Sequence, residues 1–283
     1  MSDSLTTDRR PSQAQLARPD ESLELELERR AAAQAKLEAL NADLEARIEQ
    51  VTRQRDHAIQ ELEQFVYYAS HDLKAPLRAV GQLSVWIGDD LGEAAAGDVG
   101  HNLSMMQSRI RRMERMLDDL LEYSRIGRKR KAGDDEHVDA NELIEDVLLS
   151  AAVPERFTVS VSPGFSGVGV KRMPLQQILL HLVVNAIKHH DRDEGRIEIE
   201  LRDDGDRFTI SVVDDGPGIA PEYHEEIFQM FRTLEPKDKT DSSGIGLAIV
   251  RKAVETVGGR IALESRIGAG SRFTVSLPKA RVG

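Results

Sequence analysis

The chain has 283 residues, of which 40% are hydrophobic, so it is long enough for two domains, at least one of them with a hydrophobic core. It contains no cysteine, which excludes disulfides, thiolate nucleophiles and cysteine-ligated metals. The net charge of −11 argues against nucleic acid as a partner, and no apolar run reaches the roughly 20 residues of a membrane span, so we expect a cytoplasmic protein with no membrane insertion.

Residues 1–20 are polar and lack periodicity, so we expect a flexible tail. Residues 21–64 are rich in Leu, Ala, Glu and Arg, and their apolar positions follow an alternating three-and-four spacing that continues to residue 69. Because so narrow an apolar stripe is buried only against a partner helix, the segment is predicted to form a coiled coil. The stripe consists of Leu23, Leu27, Leu37, Leu44, Ile48, Val51, Ala58, Leu62, Phe65 and Ala69.

Residues 65–130 are predicted to form a helical hairpin for dimerisation. After the loop-like residues 88–100, a second helix carries its own apolar stripe: Leu103, Met106, Ile110, Met113, Leu117 and Leu120. Two hairpins make a four-helix bundle, so we expect a homodimer. The basic residues 125–133 could contact nucleic acid, but they fit better as a solvated helix end followed by a linker.

His71 and Asp72 lie side by side in the first helix of this hairpin, within the sequence YYASHDLKAPLR. A carboxylate beside a histidine can accept the N–H of one ring nitrogen and leave the lone pair of the other nitrogen available as a nucleophile. Pro76 removes a helical hydrogen bond, so a kink is predicted next to this pair. The alternative is an ordinary solvent-facing histidine.

Residues 131–283 combine strand and helix patterns. Alternating stretches at 157–162, 195–216 and 271–278 predict strands, whereas 173–190 and 244–259 have helical periodicity. Strands and helices do not alternate as in a doubly wound sheet, so we expect an α/β sandwich with helices on one face of a mixed sheet.

Glycines cluster in DDGPGI at 214–219, after a strand, and in SSGIGLAIV at 242–250, before a helix. Glycine at a helix N-terminus lets phosphate oxygens approach free N–H groups, although glycine in turns alone would explain both clusters. The connection at 220–241 is long enough for a lid over a nucleotide, with Phe228 and Phe231 at its base or simply in the core.

The helix before these clusters keeps four polar residues on one face: His181, Asn185, Lys188 and His189, at i, i+4, i+7 and i+8. Each histidine taken alone is more often structural than a ligand-binding group. The set indicates a polar ligand, because an asparagine oxygen can bind Mg²⁺ and a lysine can neutralise phosphate.

These motifs resemble those of sensor histidine kinases. SHDLKAPLR is similar to their H-box, HLVVNAIKHH to the N-box, and DDGPGI, IFQMF and SSGIGLAIV to the G1, F and G2 boxes. All five occur in the family's order over residues 61–278, and their sequences are most similar to those of the phytochrome-like group. The resemblance implies a Bergerat-type ATP-binding fold after the dimeric bundle, in the 131–283 region.

The resemblance also implies ATP-dependent autophosphorylation of His71, with Asp72 as the adjacent acid, and transfer to an aspartate of a response-regulator receiver domain. It implies that Asn185 binds Mg²⁺, Lys188 contacts phosphate and Asp214 recognises the adenine amino group. The remaining implied nucleotide-binding residues are His181, His189, Gly216, Gly218, Ile219, Phe231, Ser243, Gly244, Ile245, Gly246 and Leu247.

Two positions depart from the family pattern. Ala75 stands where many members have Thr or Asn to position water for dephosphorylation, and it has no hydrogen-bonding side chain. His181 stands where Asn is frequent, and could face the metal or transfer a proton. A non-catalytic phosphorelay adaptor with a degenerate ATP site is the alternative function, and a gyrase-type ATPase would leave the H-box without a purpose.

Overall fold

The structure is a computed structural model that describes residues 18–92, 97–127, 136–234 and 242–279, with side chains from residue 25 onward. Two compact units are present, Met1–Leu62 and Glu63–Gly283. Among the helices of the described ranges, none has the length and apolar character needed to cross a membrane. Most of the predicted tail and the basic cluster beyond residue 127 lie outside these ranges.

Two long helices begin the chain. Helix α1 spans Arg18–Leu91 and passes through Pro76 without interruption, and helix α2 spans Asp98–Arg125. The loop predicted at 88–100 is therefore shorter, because its first four and last three residues are helical.

Glycine explains how the two helices of the hairpin approach each other. A Cβ at Gly81 would lie 3.3 Å from Ile110, and one at Gly88 would lie 3.9 Å from Leu103, so the antiparallel helices meet where α1 has no side chain. An ion pair between Lys74 and Asp118 continues the same register.

The rest of the Glu63–Gly283 unit contains a mixed five-stranded sheet. Its strands are β2 (Phe157–Val161), β4 (Gly195–Asp203), β5 (Arg207–Asp214), β6 (Arg260–Ser265) and β7 (Ser271–Pro278). Their order is β2-β4-β5-β7-β6, with β2 parallel to β4 and the other neighbours antiparallel. A separate antiparallel pair joins β1 (His137–Asp139) to β3 (Gly169–Lys171).

Three helices cover one face of this sheet: α3 (Ala140–Ser150), α4 (Arg172–Lys188) and α5 (Gly246–Thr256). Alternation decides the covered face, since Ile197, Ile199 and Leu201 of β4 are buried while the residues between them are exposed. The Asp139 side chain starts α3 by accepting a hydrogen bond from the N–H of Asn141 (2.8 Å). The predicted arrangement, a helical region followed by an α/β domain with helices on one sheet face, is confirmed.

Candidate nucleotide site and phosphoacceptor helix

A cavity of about 550 Å³ opens between α4, the end of β5, the loop before α5 and the C-terminal half of α2. Most of the residues predicted to bind nucleotide line it, although they come from three separate sequence motifs. Those residues are His181, Asn185, Lys188, His189, Asp214, Gly218, Ile219, Ser243, Gly244, Gly246 and Leu247.

Helix α4 supplies the polar wall of the cavity. Its apolar side chains, including Leu179, Leu182 and Val183, are buried in the core, which fixes how the helix is rotated. The remaining side brings Asn185 and Lys188 to the cavity. The helix ends at Lys188, and the backbone N–H of the next residue, His189, donates to the carbonyl of Asn185 (3.1 Å).

Asp214 is the last residue of β5, and two backbone N–H groups orient its carboxylate. The N–H of Gly216 donates to Oδ1 (3.0 Å), and the N–H of Ser271 on β7 makes a second bond. Burial raises the pKa of Asp214 above its ordinary value, because desolvation outweighs these hydrogen bonds. A fixed, partly desolvated carboxyl group is suited to accept a hydrogen bond from an N–H of a ligand.

The backbone conformation itself requires glycine at two of the predicted site positions, Gly218 and Gly244. Gly218 has a φ of +71°, and a Cβ there would lie 1.9 Å from the carbonyl oxygen of Arg266. Gly244 has a φ of +73°, and its Cβ would lie within 2.9 Å of the backbone of Phe231 and Arg232. The loop before α5 is therefore held against residues 231–232 of the predicted lid.

The N-terminus of α5 forms the end of the cavity next to this loop. The first N–H groups of a helix have no intrahelical acceptor, and they face an anion favourably. The buried Ser243 hydroxyl accepts the N–H of Ile245 (3.2 Å), and Gly246 lies so close to His181 that a Cβ would be 3.4 Å from Nδ1. The small residues Ser243 and Gly246 thus leave space for a ligand beside the N-terminus of α5.

Three predicted site residues do not line the cavity. Gly216 is turned towards the Asp214 carboxylate, Ile245 is fully buried in the core, and Phe231 is 44% exposed with a φ of +63°. Phe228 is buried and packs edge-to-face on Phe273 (6.4 Å between centroids), so it holds the segment predicted as the base of a lid, whereas the Phe231 ring is exposed. Residues 235–241 of the lid lie outside the described ranges.

Helix α2 contributes residues that sequence reasoning missed. Arg115 and Asp119 line the cavity, and the Asp119 carboxylate is hydrogen-bonded to Ser243. Burial raises the pKa of Asp119 above its ordinary value, although Ser243 and the nearby charges of His181 and Lys188 oppose the shift. The sequence contains an indication of these residues, because Arg115, Asp119 and Glu122 form a polar stripe at helical spacing beside the apolar stripe of α2.

His181 is bound by α2. Its Nε2 lies 3.1 Å from Oε1 of Glu122, which also accepts a hydrogen bond from Gln177 (2.7 Å). Burial alone would raise the pKa of Glu122, but the hydrogen bond and charge of His181, with Gln177 and Arg125, hold it below the ordinary value. This carboxylate is therefore ionised at neutral pH and ties α2 to α4.

His71 is presented on the surface of α1. Its side chain is 72% exposed, and that of Asp72 is 78% exposed. Nδ1 of His71 lies 3.1 Å from Oδ1 of Asp72, so the carboxylate accepts an Nδ1–H and the lone pair is left on Nε2. The predicted role of His71 as a nucleophile would therefore fall to Nε2.

The donor set of the cavity fits a magnesium ion that arrives with a nucleotide. Asn185 supplies a neutral oxygen, and within the described residues no cluster of three or more His, Cys, Asp or Glu forms a complete cage. Mg²⁺ usually takes one or two protein oxygens and completes its shell with phosphate oxygens and water.

Two family profiles match this chain. Residues 61–129 match the "His Kinase A (phospho-acceptor) domain", and residues 170–281 match the "Histidine kinase-, DNA gyrase B-, and HSP90-like ATPase" family. The first match contains α2 and the part of α1 that carries His71. The second contains the cavity-lining parts of α4, β5 and α5.

Known proteins agree with both matches. The chain is 33% identical over 222 residues to the methanogenesis regulatory histidine kinase FilI of Methanothrix harundinacea, covering 77% of this chain and 25% of FilI. It is 34% identical over 233 residues to cyanobacterial phytochrome B of Nostoc sp., covering 81% of this chain and 31% of that protein. The chain thus spans about a quarter to a third of these relatives.

The crystal structure of full-length ShkA in complex with AMPPNP has a similar fold. The TM-score is 0.57 at 24% identity, covering 76% of this chain and 45% of ShkA. Both profile matches, the relatives and the fold lead to one conclusion: this chain belongs to the histidine kinase family and carries its transmitter module, a phosphoacceptor helical domain followed by an ATPase domain.

Proposed function

We propose that this chain is a protein histidine kinase that phosphorylates His71 with ATP and then passes the phosphoryl group to an aspartate of a response-regulator receiver domain. The observation that carries the proposal is the convergence of Asn185, Lys188, Asp214 and the N-terminus of α5 on one cavity. The match to the ATPase family supports ATP as the ligand.

The cavity suits the two ends of ATP. At one end, the Asp214 carboxylate accepts a hydrogen bond from the adenine amino group. At the other end, Lys188 and the first N–H groups of α5 neutralise the phosphates. Asn185 would hold Mg²⁺ with phosphate oxygens, and the ion would supply further neutralisation of the triphosphate charge.

The His71–Asp72 contact supports the chemistry at the acceptor. Nε2 of His71 attacks the γ-phosphorus, a bond forms between nitrogen and phosphorus, and the bond to the β–γ bridging oxygen breaks, so ADP leaves. Asp72 stabilises the imidazolium that develops and can take the Nδ1 proton. In the second reaction the P–N bond breaks and a receiver carboxylate forms the new P–O bond.

A homodimer fits the exposed apolar surface of the helices. In the first unit, Leu37, Ile48 and Leu62 of the coiled-coil stripe are 61%, 66% and 63% exposed. In the second unit, Phe65 and Trp86 are 70% and 55% exposed on the hairpin. We propose that a second copy covers these side chains, with residues 21–64 as coiled coil, 65–130 as the dimerisation hairpin and 131–283 as the catalytic domain.

Incubation of the chain with γ-labelled ATP and Mg²⁺ tests the proposal. Acid-labile label should appear on the wild type and disappear in His71→Ala, whereas His101→Ala, an exposed histidine on α2, should label normally. Label that moves on to an added receiver domain supports the second transfer.

Other results separate the competing functions. ATP hydrolysis without labelling of the chain would favour a gyrase-type ATPase. Absence of both nucleotide binding and labelling would favour the phosphorelay adaptor and overturn the proposal.

A further inference from the structure

A buried imidazole lies behind the turn that carries Asp214. His190 follows α4 by two residues, and its side chain is 0% exposed. Its ring packs edge-to-face on Phe157, with 5.3 Å between centroids. Gly195 leaves space for the ring, because a Cβ there would lie 2.6 Å from Nε2 of His190. A polar ring enclosed in this way must have its hydrogen bonds satisfied inside the protein.

The contacts of His190 place a proton on Nε2. Nε2 lies 3.1 Å from Oδ1 of Asp215, and because an ionised carboxylate can only accept, Nε2 donates this hydrogen bond. On the other side of the ring, the backbone N–H of Arg192 lies 3.1 Å from Nδ1 and its carbonyl oxygen lies 3.2 Å from Nδ1.

Asp215 is held from several sides. Its Oδ1 also accepts the N–H of Arg196 (2.6 Å), and Nη2 of Arg192 donates to its carbonyl oxygen (2.8 Å) and to Oδ2 (3.2 Å). Burial works against ionisation, but these donors outweigh it and lower the pKa of Asp215 below its ordinary value. We call His190, Arg192 and Arg196 with Asp215 the Asp215 network.

The Asp215 network borders the residue that faces the cavity. Asp214 and Gly216 flank Asp215 in one turn, and the Gly216 N–H orients the Asp214 carboxylate (3.0 Å). The turn is closely packed, since a Cβ at Gly216 would lie 2.9 Å from Oδ1 of Asp214 and 3.4 Å from the His190 ring. A displacement of Asp215 would therefore move the Asp214 carboxylate with it.

We propose that His190 is a positioning residue for base recognition: by holding Asp215 it fixes the direction of the Asp214 carboxylate and so sets the preference for adenine over guanine. The inference rests on the proposed function, in which Asp214 accepts a hydrogen bond from the adenine amino group. Guanine has a carbonyl oxygen at the equivalent position, so it gains nothing from a well-aimed carboxylate. A site built around one hydrogen bond discriminates only while its geometry is held.

Binding of non-hydrolysable ATP and GTP analogues to the full chain, measured by calorimetry with Mg²⁺, tests this inference. His190→Phe keeps a ring against Phe157 and removes the donor to Asp215, so it should weaken ATP-analogue binding on the order of tenfold, with little change for the GTP analogue. His190→Gln retains an N–H that can reach Asp215 and should recover much of the ratio. His101→Phe, on the exposed side of α2, is the matched control and should bind like the wild type.

The ratio of the two affinities distinguishes positioning from general damage. A His190→Phe variant that binds both analogues less well by the same factor, or that binds both like the wild type, overturns the inference while the proposed function stands. A wild-type chain that binds neither analogue overturns the proposed function and the inference together.

A second variant covers the case in which His190→Phe does not fold. Arg192 is 52% exposed, so Arg192→Ala removes contacts to Asp215 from the solvent side. It should lower the ATP-to-GTP ratio by a factor of about two to three, since hydrogen bonds from exposed groups contribute less. An unchanged ratio in this variant contradicts the inference.

Discussion

Nε2 of His181 on α4 lies 3.1 Å from Oε1 of Glu122 on α2, which joins the ATPase domain to the helical hairpin. A second contact lies nearby, where Nζ of Lys252 on α5 donates to the carbonyl of Tyr123 (2.8 Å) and lies 4.2 Å from the centre of its ring. The two helices that carry the candidate nucleotide site are therefore also those that hold α2.

Glu122→Gln should weaken this connection. The folded-state pKa of Glu122 lies below its ordinary value, so its stabilising contribution is present above the ordinary value and is lost as pH falls through the folded-state pKa. With a side chain 38% exposed, we expect a loss of about 0.5 kcal/mol in the free energy of unfolding at pH 7. Chemical denaturation at pH 7 and pH 4 measures it.

The control for this prediction is Glu114→Gln on the same helix, which should leave the free energy of unfolding unchanged at both pH values. A loss in Glu122→Gln that stays constant from pH 7 to pH 4 would contradict an ionic contribution.

Asp119→Asn should tighten the binding of ATP. The Asp119 carboxylate lines the cavity and is hydrogen-bonded to Ser243, so its negative charge repels the phosphates. Removing that charge should lower the Kd for ATP by a factor of about three to ten at low salt, and by less at high salt. Adenosine, which carries no phosphate, should bind equally well to both proteins, and calorimetry measures both ligands.

The effect of Asp119→Asn on stability should depend on pH in the opposite direction to that of Glu122→Gln. Because the folded-state pKa of Asp119 is raised, the wild type is favoured below the ordinary carboxyl pKa and loses that advantage as pH rises through the folded-state value. Asp119→Asn should therefore raise Tm by about 2 °C at pH 7 relative to wild type, with a smaller gain at pH 4. Asp89→Asn, at an exposed position on α1, should shift Tm at neither pH.

Local sequence patterns predicted the fold well, because the burial of one face of a strand or helix requires apolar residues at regular spacing. Ile197, Ile199 and Leu201 alternate with exposed residues, and β4 forms where that alternation occurs. The loop predicted at 88–100 is too long at its start because glycine at position 88 is typical of a loop. In the structure Gly88 is helical, and its missing side chain lets Leu103 of α2 approach.

Contacts between segments that are distant in sequence could not be predicted from local sequence patterns. Glu122 and His181 are 59 residues apart, so no periodicity connects them. A contact of His181 with nucleotide or metal stays a prediction from its helix face, whereas the structure places His181 at the cavity and shows its hydrogen bond to Glu122. Asp119 was missed because periodicity identifies the buried face of α2 and does not indicate what its polar stripe contacts.

Gly218→Ala should damage both stability and nucleotide binding. A Cβ there meets the carbonyl oxygen of Arg266 at 1.9 Å, in addition to the strain of a φ of +71°. Gly205→Ala is a matched control, since Gly205 has a φ of +90° with nothing within 4 Å of the added Cβ. We expect a loss of about 1 kcal/mol for the control and about 3 kcal/mol for Gly218→Ala.

Denaturant unfolding and ATP calorimetry on both glycine variants measure these effects. Gly205→Ala should keep the wild-type Kd for ATP, because the β4–β5 turn does not line the cavity. Equal losses of stability in the two variants would show that backbone strain alone, without the contact to Arg266, decides the requirement for glycine.

Asp72→Asn should slow phosphorylation of His71 without changing ATP binding. The asparagine oxygen can still accept the Nδ1–H, so the tautomer is kept, but the negative charge that stabilises the developing imidazolium is lost. We expect the rate to fall about 10²-fold at saturating ATP, with KM for ATP unchanged, because Asp72 lies outside the residues that line the nucleotide cavity.

Single-turnover labelling with γ-labelled ATP measures the rate, and Asp90→Asn on the same helix should label at the wild-type rate. A rise in KM with an unchanged maximal rate would mean that Asp72 acts in nucleotide binding, contrary to the role that its contact with His71 predicts.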